Sequence, residues 1–104
     1  MITVHPNSKG NITLAEGSRV TLICNATGDG TLKYLWMREP GLLSKNAKNR
    51  QTSTLNFRSI AVSDSGLYYC KVDNGGDSVS SMKVQVTAKS ELHKYHYCHM
   101  YIFN

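Results

Sequence analysis

Apolar and polar side chains alternate along most of this chain with a period of two, the spacing that puts successive residues on opposite faces of an extended strand. From Ser18 to Cys24, Val20, Leu22 and Cys24 share one face and Arg19, Thr21 and Ile23 the other. From Leu32 to Arg38, Tyr34 and Trp36 fall on the inward side, while Lys33, Leu35 and Met37 point away. Ser53 to Ile60 forms a further strand carrying Leu55 and Phe57. From Leu67 to Val72, Tyr68 and Cys70 point one way, and Leu67, Tyr69 and Lys71 the other. A last strand, Ser78 to Thr87, places Met82, Val84 and Val86 on one face. Residues 2 to 6, ending at a proline, read as an edge strand, and Asn11 to Ala15 as a short second piece.

The breaks between these runs carry turn chemistry. Gly28-Asp29-Gly30, Glu39-Pro40-Gly41 and Asp73-Asn74-Gly75-Gly76-Asp77 each end an extended segment. The last is a hairpin signal, because Asn-Gly and Gly-Gly supply positive φ. Asp64-Ser65-Gly66 reads as a tight reversal in which the Asp side chain accepts bonds from nearby amides and the glycine takes positive φ. Residues 42 to 52 are polar, weakly patterned and left unassigned.

Cys24, then Trp36, then the run Asp64-Ser-Gly-Leu-Tyr-Tyr-Cys70 reproduce in order the Cys, Trp and Asp-x-Gly-x-Tyr-x-Cys signature of the immunoglobulin superfamily, which this chain resembles over residues 2 to 88. Gly17, Val20 and Leu22 before the first Cys, and Leu55, Phe57 and Ile60 before the Asp, fit the same pattern. The resemblance implies an all-β, two-sheet antiparallel sandwich with Greek-key topology. One sheet would hold the Cys24 and Leu55 strands, the other Trp36, Cys70 and the final strand. It also implies a Cys24–Cys70 disulfide with Trp36 packed on it, and a core including Leu55, Tyr68 and Asp64. The short span between Trp36 and Thr54 leaves no room for the two extra strands of a variable domain, which points to the C2 or I set. No Phe-Gly-x-Gly bulge follows, unlike an antigen-receptor joining segment.

At 104 residues the chain is one domain, residues 1–88, with a His- and Tyr-rich C-terminal tail, 89–104, outside the family pattern and expected to be poorly ordered. There is no apolar run near the 18 or so residues of a membrane span and no leader, so the chain reads as a mature fragment. Three cysteines leave Cys98 over after the implied pairing, either as a thiol or as a link between two chains. A disulfide closing this loop persists in oxidising compartments, hence an extracellular or cell-surface expectation. The alternative is reduced core cysteines in an intracellular structural repeat of the titin kind. The net charge of +5 is scattered, with no basic helix or aromatic-plus-basic sheet motif, so nucleic acid is not an expected partner.

Candidate chemistry is sparse. No nucleophile motif or phosphate loop is present, and Asp29, Asp64, Asp73 and Asp77 all sit where turns want them, so no catalytic residues, cofactor or enzyme activity are expected. His93, His96, Cys98 and His99 are metal-ligating types at loose spacing, and no metal site is assigned to them. Asn11-Ile-Thr and Asn25-Ala-Thr are N-glycosylation sequons for a secreted chain. The most informative feature is the outward face of the central sheet, where Leu35, Met37, Leu67 and Tyr69 form an apolar patch beside Lys33, Lys71 and Lys83. Family members commonly use this face for homophilic or ligand contact, so the expected function is protein recognition as a module of an adhesion molecule or receptor. The partner-binding residues are Leu35, Met37, Leu67, Tyr69 and Lys71, and the partner is a protein ligand or a second copy. Cover by residues 42–52 or the tail is the competing explanation of the patch. A soluble immune-type or glycan-binding module using loops 28–31 and 73–77 is the alternative function.

Overall fold

The computed structural model describes residues 1–5 and 10–90. Its strands are β1 Ile2–Val4, β2 Asn11–Ala15, β3 Val20–Ile23, β4 Ala26–Gly28, β5 Lys33–Glu39, β6 Ala47–Lys48, β7 Thr54–Phe57, β8 Gly66–Asp73, β9 Ser78–Ser80 and β10 Val84–Lys89, with a 3-10 turn at Val62–Asp64. They form the expected two-layer β-sandwich. One sheet runs β3-β7-β6; the other runs β2-β10-β8-β5, with β9 pairing β8, and β1 and β4 make a small ribbon. Every pairing is antiparallel except β2 with β10, where the chain lies parallel to the final strand.

The inward positions of the period-two pattern meet between the layers. Val20, Leu22, Leu55, Phe57, Tyr68, Val72, Val84 and Val86 are buried together with Trp36, Cys24 and Cys70. Cys24 and Cys70 form a disulfide with their Cα atoms 6.3 Å apart. Trp36 is opposite Cys70 in the β5–β8 register, and its indole N–H donates to the Thr52 carbonyl at 3.0 Å. The Phe57 and Tyr68 rings meet edge to face, 5.7 Å between centroids. That contact joins the two layers at the centre of the core.

The structure differs from the pattern in four places. The last strand does not run unbroken from Ser78 to Thr87: it is split into β9 and β10, and Met82 lies in the break, 69% exposed, not on the inward face. The Ser81 side chain explains the split, because its hydroxyl accepts the Cys70 amide at 2.8 Å in place of a strand partner. Residues 26–28 pair with β1, where the glycines alone suggested a break. The unassigned segment contains β6, which adds Ala47 and Lys48 to the β7 edge.

Finally, Gly66 is required for closeness and not for positive φ, which belongs to Gly17, Gly30, Gly41 and Gly75. A Cβ at Gly66 would stand 2.9 Å from the Glu39 carbonyl oxygen and 3.0 Å from Arg38 Nε, where β5 ends and β8 begins. Gly66→Ala is therefore expected to destabilise the domain by about 2 kcal/mol, as overpacking against fixed backbone does. A denaturant midpoint equal to that of the unsubstituted chain would show that the strands move apart freely.

Candidate functional site: the outward face of the β5–β8 sheet

Strand register decides which outward side chains are neighbours. Across β5 and β8, Met37 stands opposite Tyr69, Leu35 opposite Lys71, Glu39 opposite Leu67 and Lys33 opposite Asp73. Opposed positions bring the Cβ atoms of Met37 and Tyr69 to within about 5 Å, and Leu35 and Leu67 extend the strip as their diagonal neighbours at about 7 Å. Leu35 is 42% exposed, Met37, Leu67 and Tyr69 are half-buried, and Lys71 is exposed. The sequence thus placed all five expected contact residues on one surface.

The charges around the strip fall into two groups. At the lower end Lys83 Nζ bonds Glu39 Oε1 at 2.8 Å and lies 5.5 Å from the centre of the Tyr69 ring. The Glu39 bond and charge hold the Lys83 ammonium pKa above its ordinary value. At the upper end Lys33 and Lys71 have no ion-pair partner among the described residues. Glu39 was legible only as a turn residue; its place on this face follows from β5 extending one residue further than the alternation suggested.

Segment 42–52 does not cover the strip. It runs past the lower end of the sandwich to the opposite sheet, where Ala47 pairs Phe57, and its Arg50 carbonyl accepts the Trp36 amide along the β5 edge. Leu42 is 87% exposed, while Leu43 packs against the core. Of the segment read as a tail, Lys89 is the last residue of β10 and pairs Ala15; the remainder beyond Ser90, with Cys98 and the three histidines, and the question of its order, lies outside the described residues.

Beneath the face, Asp64 anchors the lower end. Its buried carboxylate accepts Ser44 Oγ at 2.5 Å, Asn46 Nδ2 at 3.0 Å and the Ala61 amide at 2.9 Å. Burial pushes this carboxyl up, but those bonds and the Arg38 charge outweigh it and leave its pKa below the ordinary value. The Tyr68 hydroxyl donates to the Asp64 carbonyl, and burial pushes the phenol pKa up to about 12. Arg38, which the alternation did not single out, sits at this end and donates to the carbonyls of Ser63 at 2.6 Å and Ser65 at 3.0 Å.

Because the carboxyl's folded pKa is depressed, Asp64 stabilises the fold above the ordinary Asp range near 3.9, and that contribution is lost as pH falls through the folded value. Asp64→Asn should cost about 2 kcal/mol at neutral pH, by removing an ionised acceptor from three donors. The gap to the unsubstituted chain should narrow in melts below about pH 3.9. A gap independent of pH would mean that the ionised carboxylate contributes nothing.

Of the other candidate sites, Asn11 and Asn25 are both exposed. Asn11 pairs Gln85, which pairs Leu67, so it sits on the same outward face as the strip, two strands away. Loops 28–31 and 73–77 come together at the top of the sandwich, where Asn74 Nδ2 donates to the Asp29 carbonyl at 3.2 Å.

Comparison with known proteins places this geometry. The immunoglobulin domain family model matches residues 1–74. The chain is 38% identical over 73 residues to human mucosa-associated lymphoid tissue lymphoma translocation protein 1, covering 70% of this chain and 8% of that protein. It is 34% identical to Lachesin of Drosophila melanogaster (69% and 20% covered) and 34% identical to vascular cell adhesion protein 1 of Rattus norvegicus (73% and 10% covered). The chain therefore spans a fifth or less of these relatives' length. Among solved structures, the tandem Ig repeats of Dlar superpose with a TM-score of 0.74 at 17% identity, over 86% of this chain and 49% of that one. A two-sheet sandwich with a buried disulfide and indole, and a family match over most of the chain, together mean that this chain belongs to the immunoglobulin domain family.

Proposed function

We propose that this domain is a protein-recognition module of a cell-surface receptor or adhesion molecule, and that it binds its partner through the outward face of the β5–β8 sheet. The observation that carries the reading is the apolar strip itself. Met37 opposite Tyr69, flanked by Leu35 and Leu67, is a contiguous apolar surface that no described segment covers. A stable monomer seldom leaves such a surface without a partner. The sandwich behind it is cross-linked by a disulfide through a buried apolar core, so the strip is presented on a rigid mount and little ordering entropy opposes binding. The partner is a protein ligand or a second copy of the domain. The Cys24–Cys70 disulfide supports an extracellular location.

In a secreted chain, glycans on Asn11 and Asn25 fit this arrangement. The Asn11 glycan would flank the β2–β10 side of the face and leave the β5–β8 strip open. The domain, displayed as a multimer and tested against an array of extracellular domains that includes itself, is expected to bind at least one of them. That binding should be blocked by an antibody fragment mapped to Met37 and Tyr69. Binding that persists under such a fragment, and is blocked by one against loops 28–31 and 73–77, would move the function to the loops.

A further inference from the structure

The upper end of the face is a cleft of about 240 Å³ lined by Lys33, Tyr34, Leu35, Lys71, Asp73 and Ser78. Resting on the reading of this face as the contact surface, we infer that the cleft is a subsite for a carboxylate side chain of an acidic protein partner. That carboxylate would bridge Lys33 and Lys71 while the neighbouring partner residue packs on Leu35 and Met37.

Three features carry the inference. First, the two lysines are diagonal neighbours: Lys33 is opposite Asp73 and Lys71 is opposite Leu35. That diagonal is about 7 Å across, within reach of one carboxylate for two long side chains. Second, the obvious internal partner is engaged elsewhere. Asp73 turns its Oδ1 to the Gly75 amide at 2.6 Å, closing the β8–β9 turn, and no ion pair joins it to Lys33 or Lys71. At the other end of the strip the same problem is solved internally by Lys83 and Glu39. Among the described residues the face therefore has one end whose lysines make no ion pair and one end whose lysine does, and a complementary partner would carry its negative charge at the cleft. Third, the cleft is continuous with an apolar strip and has only two cations with an acid at its rim. Asp73 opposes any anion there to a similar degree, so the apolar contact decides between occupants: a sulfated glycan gains nothing from Leu35 and Met37, whereas an extended segment with an acidic and an apolar residue two positions apart spans both the cleft and the strip.

The test is a titration of the isotope-labelled domain, followed by amide chemical shifts, with a capped pentapeptide Ser-Glu-Thr-Leu-Ser, with the same peptide carrying Gln for Glu, and with a sulfated hexasaccharide. The Glu peptide is expected to shift Lys33, Leu35, Lys71 and Ser78. Its affinity should fall about tenfold with Gln in place of Glu, or in the Lys33→Gln or Lys71→Gln variants, and it should fall with added salt. Both lysines are exposed, so the variants should fold, and an unchanged melt confirms it. Equal shifts from both peptides centred on Met37 and Tyr69 would overturn the acidic subsite and leave the face as the contact surface. Shifts confined to the opposite sheet, or none at all, would overturn the subsite, and the array experiment then judges the face separately. Tighter binding of the hexasaccharide in the cleft would overturn it in favour of a glycan.

Discussion

Replacing Cys24 and Cys70 together by alanine is expected to lower the melting temperature by roughly 20 °C and to leave a substantial unfolded fraction at 37 °C. The two residues are 46 apart in sequence, and closing a loop of that length removes denatured-state entropy worth about 4 kcal/mol. A domain of this size has a total stability of only about 5–15 kcal/mol. The loss does not stop at the cross-link. Both sulfurs lie in the centre of the core, with Trp36 opposite Cys70, so alanine also leaves space against the indole. Circular dichroism melts under oxidising and reducing conditions check this directly. A variant melting within a few degrees of the unsubstituted chain would mean that the sheets hold together without the bridge, and would remove the main physical support for an oxidising compartment.

The second large effect is on binding. Met37→Ala with Tyr69→Ala should weaken partner capture or self-association roughly 100-fold, about 3 kcal/mol, because it truncates the two opposed side chains at the centre of the strip. Stability should barely change. Both side chains are half-exposed on the outer face, and neither belongs to the core cluster. Removing the Tyr69 ring also releases the Lys83 contact, which is solvent-exposed and adds little to stability. Sedimentation velocity for self-association, and capture of whichever domain the array identifies, measure the outcome. Full binding by this variant would show that the strip is not the contact surface.

The layers and the core were legible because both follow from period two: Leu22, Leu55, Tyr68, Cys70 and Val86 each fall at a position whose parity puts them inside. The outward strip was legible for the same reason, since inward Trp36 and Cys70 force Met37 and Tyr69 outward. What the alternation missed depends on single side chains competing with the backbone. Ser81 takes the Cys70 amide and breaks the last strand, which throws Met82 into solvent. Gly66 is demanded by the Glu39 carbonyl on another strand, a contact no local pattern contains. The cleft was invisible for a related reason. Lys33 and Lys71 are far apart in sequence, and only the β5–β8 register, together with Asp73 turning to Gly75, shows that they stand side by side without an ion pair among the described residues.

The most direct measurement puts a photo-crosslinking amino acid at Met37 in one preparation and at Ile23 in another, then irradiates each with the bound partner. Ile23 is 57% exposed on the opposite sheet and serves as the control for surface accessibility. Covalent capture from position 37 and none from position 23 is the expected result; capture from position 23 alone would contradict recognition through the β5–β8 face.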